Sequence, residues 1–303
     1  MAFQVAGKTA LITGAGSGIC LSFAKLLLQK RCNVVLVDLA LRPEAEHLLE
    51  TYTSGTRAIF QRTDVSSWSQ LRRAFDVAEE QFGGTDIVCP GAGVYEPTFS
   101  NFWHPPGSHL SKDNPHNDRY ASIDINLIHP IFCTQLAIDH FTKRAKSGSV
   151  VHVSSIAAQR PVLTAPLYVA AKSGISNFVR SLAELETSPK GLSSIRVTAV
   201  APGLIKTPLW TDNPDKMKMI DSAKDVWVEP EEVAAVMLDL IENDKHIGGT
   251  ILEIGKDQVR PVELLNDGGP SGAGHTVSAL VKGADEVWDE LTSRRDTSGE
   301  KSR

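Results

Sequence analysis

The strongest constraint on the fold is a repeated alternation between short, almost wholly apolar runs and longer segments with helical spacing. Thr9-Ala10-Leu11-Ile12-Thr13 is the first run. Glycines follow, then residues 19–30 with Phe23, Leu26 and Leu27 at helical spacing. The same rhythm predicts strands at 33–38, 57–61, 86–89, 149–153, 195–200 and 250–254. It predicts helices at about 43–52, 71–82 and 167–185, and one starting at Pro230 with Glu231 and Glu232 in its first turn. Ser67-Trp68-Ser69-Gln70 reads as a capping box before the helix at 71. Runs that are apolar throughout suit strands covered on both faces, and strand–helix–strand alternation implies parallel pairing with right-handed crossovers. The expected architecture is a doubly wound, parallel α/β sheet of about seven strands, forming one domain over residues 1–255.

Two stretches interrupt the rhythm. Residues 96–119 are rich in Pro, His, Asn and Ser but carry Phe99, Phe102 and Trp103. Residues 207–228 carry Leu209, Trp210, Met217, Met219 and Trp227. Both are expected to close over a substrate as lids. The C-terminal extension, 256–303, divides into a glycine-rich linker at 267–274 and an amphipathic helix. Its apolar residues are Val277, Leu280, Val281, Ala284, Val287, Trp288 and Leu291. This helix is expected to dock on the main body or a partner subunit, with disorder from Asp296 onward.

Composition narrows the function. The chain has 303 residues and a formal net charge of −5, with both signs interspersed. No basic tract recruits nucleic acid or an anionic membrane. No apolar run approaches the roughly 20 residues of a membrane span, and the N-terminus lacks signal-peptide character, so the expected location is cytoplasmic. The four cysteines, Cys20, Cys32, Cys89 and Cys133, form no Cys-x-x-Cys pair. They are expected to be free, buried thiols, and no metal site is suggested.

The candidate binding site begins at Thr13-Gly14-Ala15-Gly16-Ser17-Gly18-Ile19, between the first strand and first helix. Glycines allow a tight turn, and a helix N-terminus offers free N–H groups to a phosphate. Asp38, ending the second strand, can accept hydrogen bonds from a ribose diol and would repel a 2′-phosphate. Arg42 is the one nearby base, so NAD is expected rather than NADP. Ile19-Cys20 after Gly18 excludes the Gly-Lys-Ser/Thr loop of ATPases. A methyltransferase remains compatible with this region alone.

The middle of the chain decides between them. Ser155 closes the fifth strand, and Tyr168 and Lys172 sit one helical turn apart. A phenol, with a pKa of about 10, is too weak an acid to serve as a base at neutral pH unless a cation stabilises its phenolate. Lys172 is expected to supply that cation and to grip the nicotinamide ribose. Tyr168 can then exchange a proton with a substrate oxygen held by Ser155.

In this order the residues resemble the short-chain dehydrogenase/reductase family, over about residues 6–255. The resemblance implies a Rossmann-like fold and a cofactor site at Gly14, Ser17, Gly18 and Ile19. It assigns Asp64 and Val65 to an adenine contact, and Gly91, Ala92 and Gly93 to the cofactor cleft. It assigns Asn126 to a proton relay beside Ser155, Tyr168 and Lys172. Pro202, Gly203, Ile205 and Thr207 would hold the nicotinamide amide. It further implies a homodimer or homotetramer. Two positions depart from the family pattern: Cys20 stands where a third glycine is usual, and Gly91 where an asparagine is usual. The run from Gly91 to Pro97 resembles dehydrogenases of fungal secondary metabolism, of the hydroxyaverantin dehydrogenase type. The implied activity is NAD-dependent interconversion of a bulky apolar alcohol and its ketone. Non-redox isomerisation or cyclisation on the same fold, and an idle dinucleotide-binding protein, are the alternatives.

Overall fold

The computed structural model describes residues 3–264 and 280–300. One sheet organises it, in the order β3-β2-β1-β4-β5-β6-β7-β8. The strands are β1 (Thr9–Thr13), β2 (Asn33–Asp38), β3 (Ala58–Arg62), β4 (Ile87–Pro90), β5 (Gly148–Val153), β6 (Ile195–Pro202), β7 (Ile251–Gly255) and β8 (Gln258–Pro261). All neighbours pair in parallel except β7 and β8.

Strand periodicity explains why both faces are covered. In β1 and β2, Ala10, Ile12, Val34 and Leu36 join one core, while Leu11, Val35 and Val37 join the other. Helices α1 (Gly18–Gln29), α2 (Pro43–Thr51) and α9 (Pro230–Glu242) cover the first face. Helices α3 (Trp68–Phe82), α5 (His129–Lys143) and α6 (Pro166–Ser181) cover the second. The strand order reverses between β1 and β4, which opens a crevice at their carboxyl ends.

Several expectations are corrected. The seven expected strands are all present, and one more joins them: β8 returns antiparallel through a tight turn at Asp257. Its residues are all exposed, so no apolar pattern announced it. Helix α3 starts at Trp68, three residues early, and the capping box does not form. The Ser67 hydroxyl meets Ser69 instead, and the Gln70 carbonyl accepts the Asp64 N–H at 2.8 Å. Helix α6 stops at Ser181, and a 3-10 turn over Ala183–Thr187 takes the rest of the expected span.

The helix expected near the C-terminus is α10 (Leu280–Glu300). It docks on the body, where Trp288 and Leu291 are buried in the second core and Asp289 pairs with Lys190. Val287 is 55% exposed, outside the buried stripe. The helix continues through Glu300, where disorder was expected from Asp296. The linker at 267–274, Val277 and the last three residues lie outside the described residues, as do the side chains of Leu280, Val281 and Ala284.

Between β4 and α5 lie α4 (Ala121–Ile123, short) and a π-helical segment, Asp124–Ile128. Contrary to the expectation of no such stretch, the continuous helix Ala121–Lys143 is long and apolar enough, by length and composition, to cross a membrane. Here Phe132, Cys133, Ala137 and Phe141 of that helix are buried within the protein cores.

Candidate active site

The glycine turn lies at the reversal of strand order. Gly14 has φ +74°, and a Cβ there would lie 2.7 Å from the Cα of Ala92. Only glycine lets β1 and the end of β4 approach so closely. Ser17 makes no side-chain cap on α1, so the first-turn N–H groups, on residues that line the cleft, lack that partner. The cradle thus has the open backbone and N–H donors that a pyrophosphate requires.

Asp38 accepts the Gly16 N–H at 2.8 Å and the Leu39 N–H at 2.7 Å, which fixes its carboxylate beside the turn. Arg42, the base foreseen nearby, is paired with Asp212 of the second lid. A second base was missed. Arg62 sits opposite Asp38 in the β2–β3 register and donates to the Leu39 carbonyl at 3.2 Å. Helix α2 separates the two in sequence, and only the parallel pairing of β2 with β3 brings them together.

The two departures from the family pattern turn out to be neighbours. A Cβ on Gly91 would lie 2.3 Å from Cys20 Sγ. The thiol of Cys20 therefore occupies the room that a side chain at 91 would need. The sheet keeps its local support, with β1 and β4 paired through Thr13 and Pro90. A further link was not foreseen. The Thr13 hydroxyl accepts the Ala92 N–H at 3.2 Å and meets His129 Nε2 at 3.0 Å, while His129 Nδ1 meets the Ile125 carbonyl at 3.0 Å. Burial holds His129 neutral, its pKa pulled down to about 4. With Nδ1 donating to the carbonyl, Nε2 accepts from Thr13. All four cysteines are free and buried, as expected.

Around one wall stand Ser155, Tyr168 and Lys172. Ser155, just past β5, caps the following 3-10 turn by accepting the Ala157 N–H at 3.1 Å, and its hydroxyl acts to lower the Tyr168 pKa. The Lys172 ammonium donates to the Val153 carbonyl at 2.7 Å and lies 5.5 Å from the centre of the Tyr168 ring. Lys172 is 5% exposed, and burial pulls its pKa down to about 8. Burial pushes the Tyr168 phenol up to about 12, against the smaller opposing effect of Ser155. The expectation that Lys172 lowers the phenol is therefore not met in the protein alone. Desolvation dominates there, and the Lys172 ammonium is engaged by the Val153 carbonyl.

The other expected residues, Gly14, Ser17, Gly18, Ile19, Asp64, Val65, Gly91, Ala92, Gly93, Pro202, Gly203, Ile205 and Thr207, also line this cleft. Asn126 does not. It sits in the π-helical segment, where its amide donates to the Val94 carbonyl at 2.8 Å and accepts the Val94 N–H at 3.0 Å. Both side-chain groups are committed to the cleft wall, leaving only its main chain for any part in moving a proton. Such π-segments recur at functional sites.

Glu96 is the main residue that sequence reasoning missed. It is 5% exposed and has φ +33°, a costly conformation for a residue with a side chain. One carboxylate oxygen accepts the Tyr168 N–H at 3.0 Å and the other the Phe102 N–H at 3.1 Å. Helix α6 begins after Ala165, which has no capping side chain. Glu96 supplies that cap from 72 positions away, and ties the first lid to the helix that carries Tyr168. The second lid begins at Thr207, whose methyl group lies over Gly18. Its helices are α7 (Pro208–Thr211), which carries Trp210, and α8 (Pro214–Met217). Trp210 lies 5.3 Å from Tyr95, and Tyr95 meets Tyr168 edge-on at 4.9 Å.

A doubly wound sheet with a phosphate cradle and an acid at its switch point defines a nucleotide-binding α/β protein. The sequence narrows that class: residues 8–218 match the short chain dehydrogenase family, and the chain belongs to it. Among its relatives is cis-4-hydroxycyclohexanecarboxylate dehydrogenase of Sinomonas cyclohexanicum, 32% identical over 82% of this chain and 95% of that protein. Human 15-hydroxyprostaglandin dehydrogenase [NAD(+)] is 30% identical over 83% of this chain and 92% of that protein. A 3-ketoacyl-(acyl-carrier-protein) reductase from Brucella melitensis, solved with NADH, superposes with a TM-score of 0.66 at 25% identity, covering 83% and 98% of the two chains.

Proposed function

We propose that the protein interconverts a bulky, apolar secondary alcohol and its ketone with NAD(H), with Tyr168 as general acid/base. The observation that carries this reading is the convergence of Ser155, Tyr168 and Lys172 on a cleft whose other end is the glycine cradle. NAD dependence is supported by relatives named for NAD(+), by Asp38 in the cradle, and by the pairing of Arg42 with Asp212.

Ser155 holds the substrate oxygen and orients Tyr168. With its phenol at about 12, Tyr168 is protonated at neutral pH and suited to donate to a ketone oxygen. Lys172, at about 8, keeps most of its charge at neutral pH and opposes the desolvation of a phenolate. The dinucleotide would supply a hydride acceptor and a positive ring that favours the phenolate in the alcohol direction. The aromatic wall of Tyr95, Trp210 and Trp227 excludes water and suits an apolar body, such as those of secondary metabolism.

The same proposal includes a homodimer or homotetramer. Trp68, 52% exposed and stacked on Phe132 at 4.3 Å, offers a second copy an aromatic surface.

The test is incubation with NAD and a panel of apolar secondary alcohols, followed by absorbance of reduced nicotinamide. Formation of NADH is expected. A substrate converted to an isomer or ring product with no change in NAD would replace this reading with the non-redox one.

A further inference from the structure

One cation beside the site has no part in the proton chemistry. Lys216, in α8 of the second lid, donates its ammonium to the Tyr95 carbonyl and lies 5.1 Å from the centre of the Tyr95 ring. That ring meets Tyr168 at 4.9 Å. The two steps place the ammonium within about 10 Å of the Tyr168 ring centre. Trp210 and Trp227 continue the aromatic wall on the same side.

Lys216 is half-buried there, and desolvation pulls its pKa down to about 8, with the Glu96 carboxylate acting in the opposite direction. Glu96 does not pair with it, because both of its oxygens are engaged by the N–H groups of Tyr168 and Phe102. Among the described residues no carboxylate forms an ion pair with Lys216. An ammonium has three donors and a full charge. A single backbone carbonyl satisfies one donor and little of the charge. A carboxylate would satisfy both, and its bond to an ammonium is among the stronger kinds.

We infer that Lys216 anchors a carboxylate of the substrate, so that the proton-exchanging oxygen lies at Tyr168 and the acid group at the lid. This inference rests on the oxidoreductase reading of the site and narrows its substrate class to apolar hydroxy acids and their keto acids. The aromatic wall covers the apolar body between the two polar ends. A span of at most about 10 Å between the ammonium and the Tyr168 ring limits the separation to several carbons.

The experiment uses the full chain with hydroxy acids from 5-hydroxyhexanoate to 9-hydroxydecanoate, each beside its methyl ester. Binding is read from quenching of tryptophan fluorescence, and turnover separately from NADH absorbance. At least one acid should bind about tenfold or more tightly than its ester, a difference of about 1.4 kcal/mol. Lys216→Met should abolish that preference while leaving ester affinity unchanged, and Lys216→Arg should retain it. Equal binding of every acid and its ester by the native chain would overturn the inference, as would a preference that survives Lys216→Met. Loss of ester and acid binding together in Lys216→Met would show that the lysine only holds the lid, which also overturns it. A Lys216-dependent preference with no turnover of any acid or alcohol would sink the oxidoreductase reading and leave the carboxylate subsite standing.

Discussion

The two ends of the cleft are built differently. The cofactor end consists of strand termini and backbone: Gly14 against Ala92, Gly16 against Asp38, and the first turn of α1. Its parts are held by a sheet in which β1 pairs on both sides. The substrate end consists of side chains on two long connections, with short helices and an aromatic wall. Its attachments include individual contacts such as Glu96 to Tyr168, Arg42 to Asp212 and Lys216 to Tyr95. The difference teaches that this fold can keep one cofactor site while its substrate site changes. Backbone geometry is shared by many sequences, but an aromatic wall is specific to its residues. Tyr168 belongs to both ends, since its hydroxyl faces Ser155 and its backbone is capped by the first lid.

The sharpest test of this contrast is Tyr168→Phe. Turnover should fall by about 10³-fold, the middle of the range of general acid–base effects, while cofactor affinity measured by calorimetry stays within about twofold. Comparable loss of both would mean that the two ends are one unit.

Glu96→Ala removes a buried cap on α6 and the tie to the first lid. The part-buried N–H groups of Tyr168 and Phe102 would lose their partners, at a cost of about 1–3 kcal/mol for the two together. We expect kcat to fall by about 10–100-fold and the thermal midpoint by several degrees, with cofactor affinity unchanged. Unaltered kcat in a stable variant would remove Glu96 from any role in positioning Tyr168.

Asp38→Ser acts at the opposite end. NAD affinity should fall by about tenfold and the gap to NADP should narrow, with kcat at saturating cofactor held within about threefold. Arg62 is now the available base near that ribose, so Asp38→Ser with Arg62→Ala should weaken NADP relative to Asp38→Ser alone.

The smallest effect concerns pH. His129 and His152 are buried neutral, with pKa values pulled down to about 4 and about 3. Their unfolded value is about 6.5, so between pH 6.5 and 4 the unfolded chain binds protons that the folded chain refuses. Stability contributed by the neutral rings is complete above pH 6.5 and is lost as pH falls toward 4. Denaturant midpoints at pH 7 and 5 should show this loss. His129→Gln should reduce the slope while leaving activity at pH 7 within about threefold.

Much of the fold was legible because strand and helix periodicities are local properties. Apolar runs such as Asn33–Asp38 mark buried parallel strands, and the four-residue spacing of Tyr168 and Lys172 places them on one helix face. The glycine turn and the acid after β2 were legible for the same reason: each is a short segment whose chemistry needs no distant partner. β8 carries no apolar face, and the α3 capping box failed because Gln70 had a better partner outside its helix.

From the sequence alone follow the doubly wound sheet, the glycine turn at its switch point and the candidate set Ser155, Tyr168 and Lys172, which line one cleft. Tertiary structure alone decided what surrounds them. It set Glu96 on the Tyr168 backbone across 72 residues and His129 on Thr13 across 116. It placed Cys20 in the space left by Gly91, and brought Lys216 beside the aromatic wall. Burial raises the Tyr168 phenol and Val153 engages the Lys172 ammonium, neither of which the spacing of the two in sequence reports. The physical reason is common to all of these. Residue type and spacing report local backbone preference, whereas desolvation and long-range hydrogen bonds depend on which strand ends the sheet order brings together.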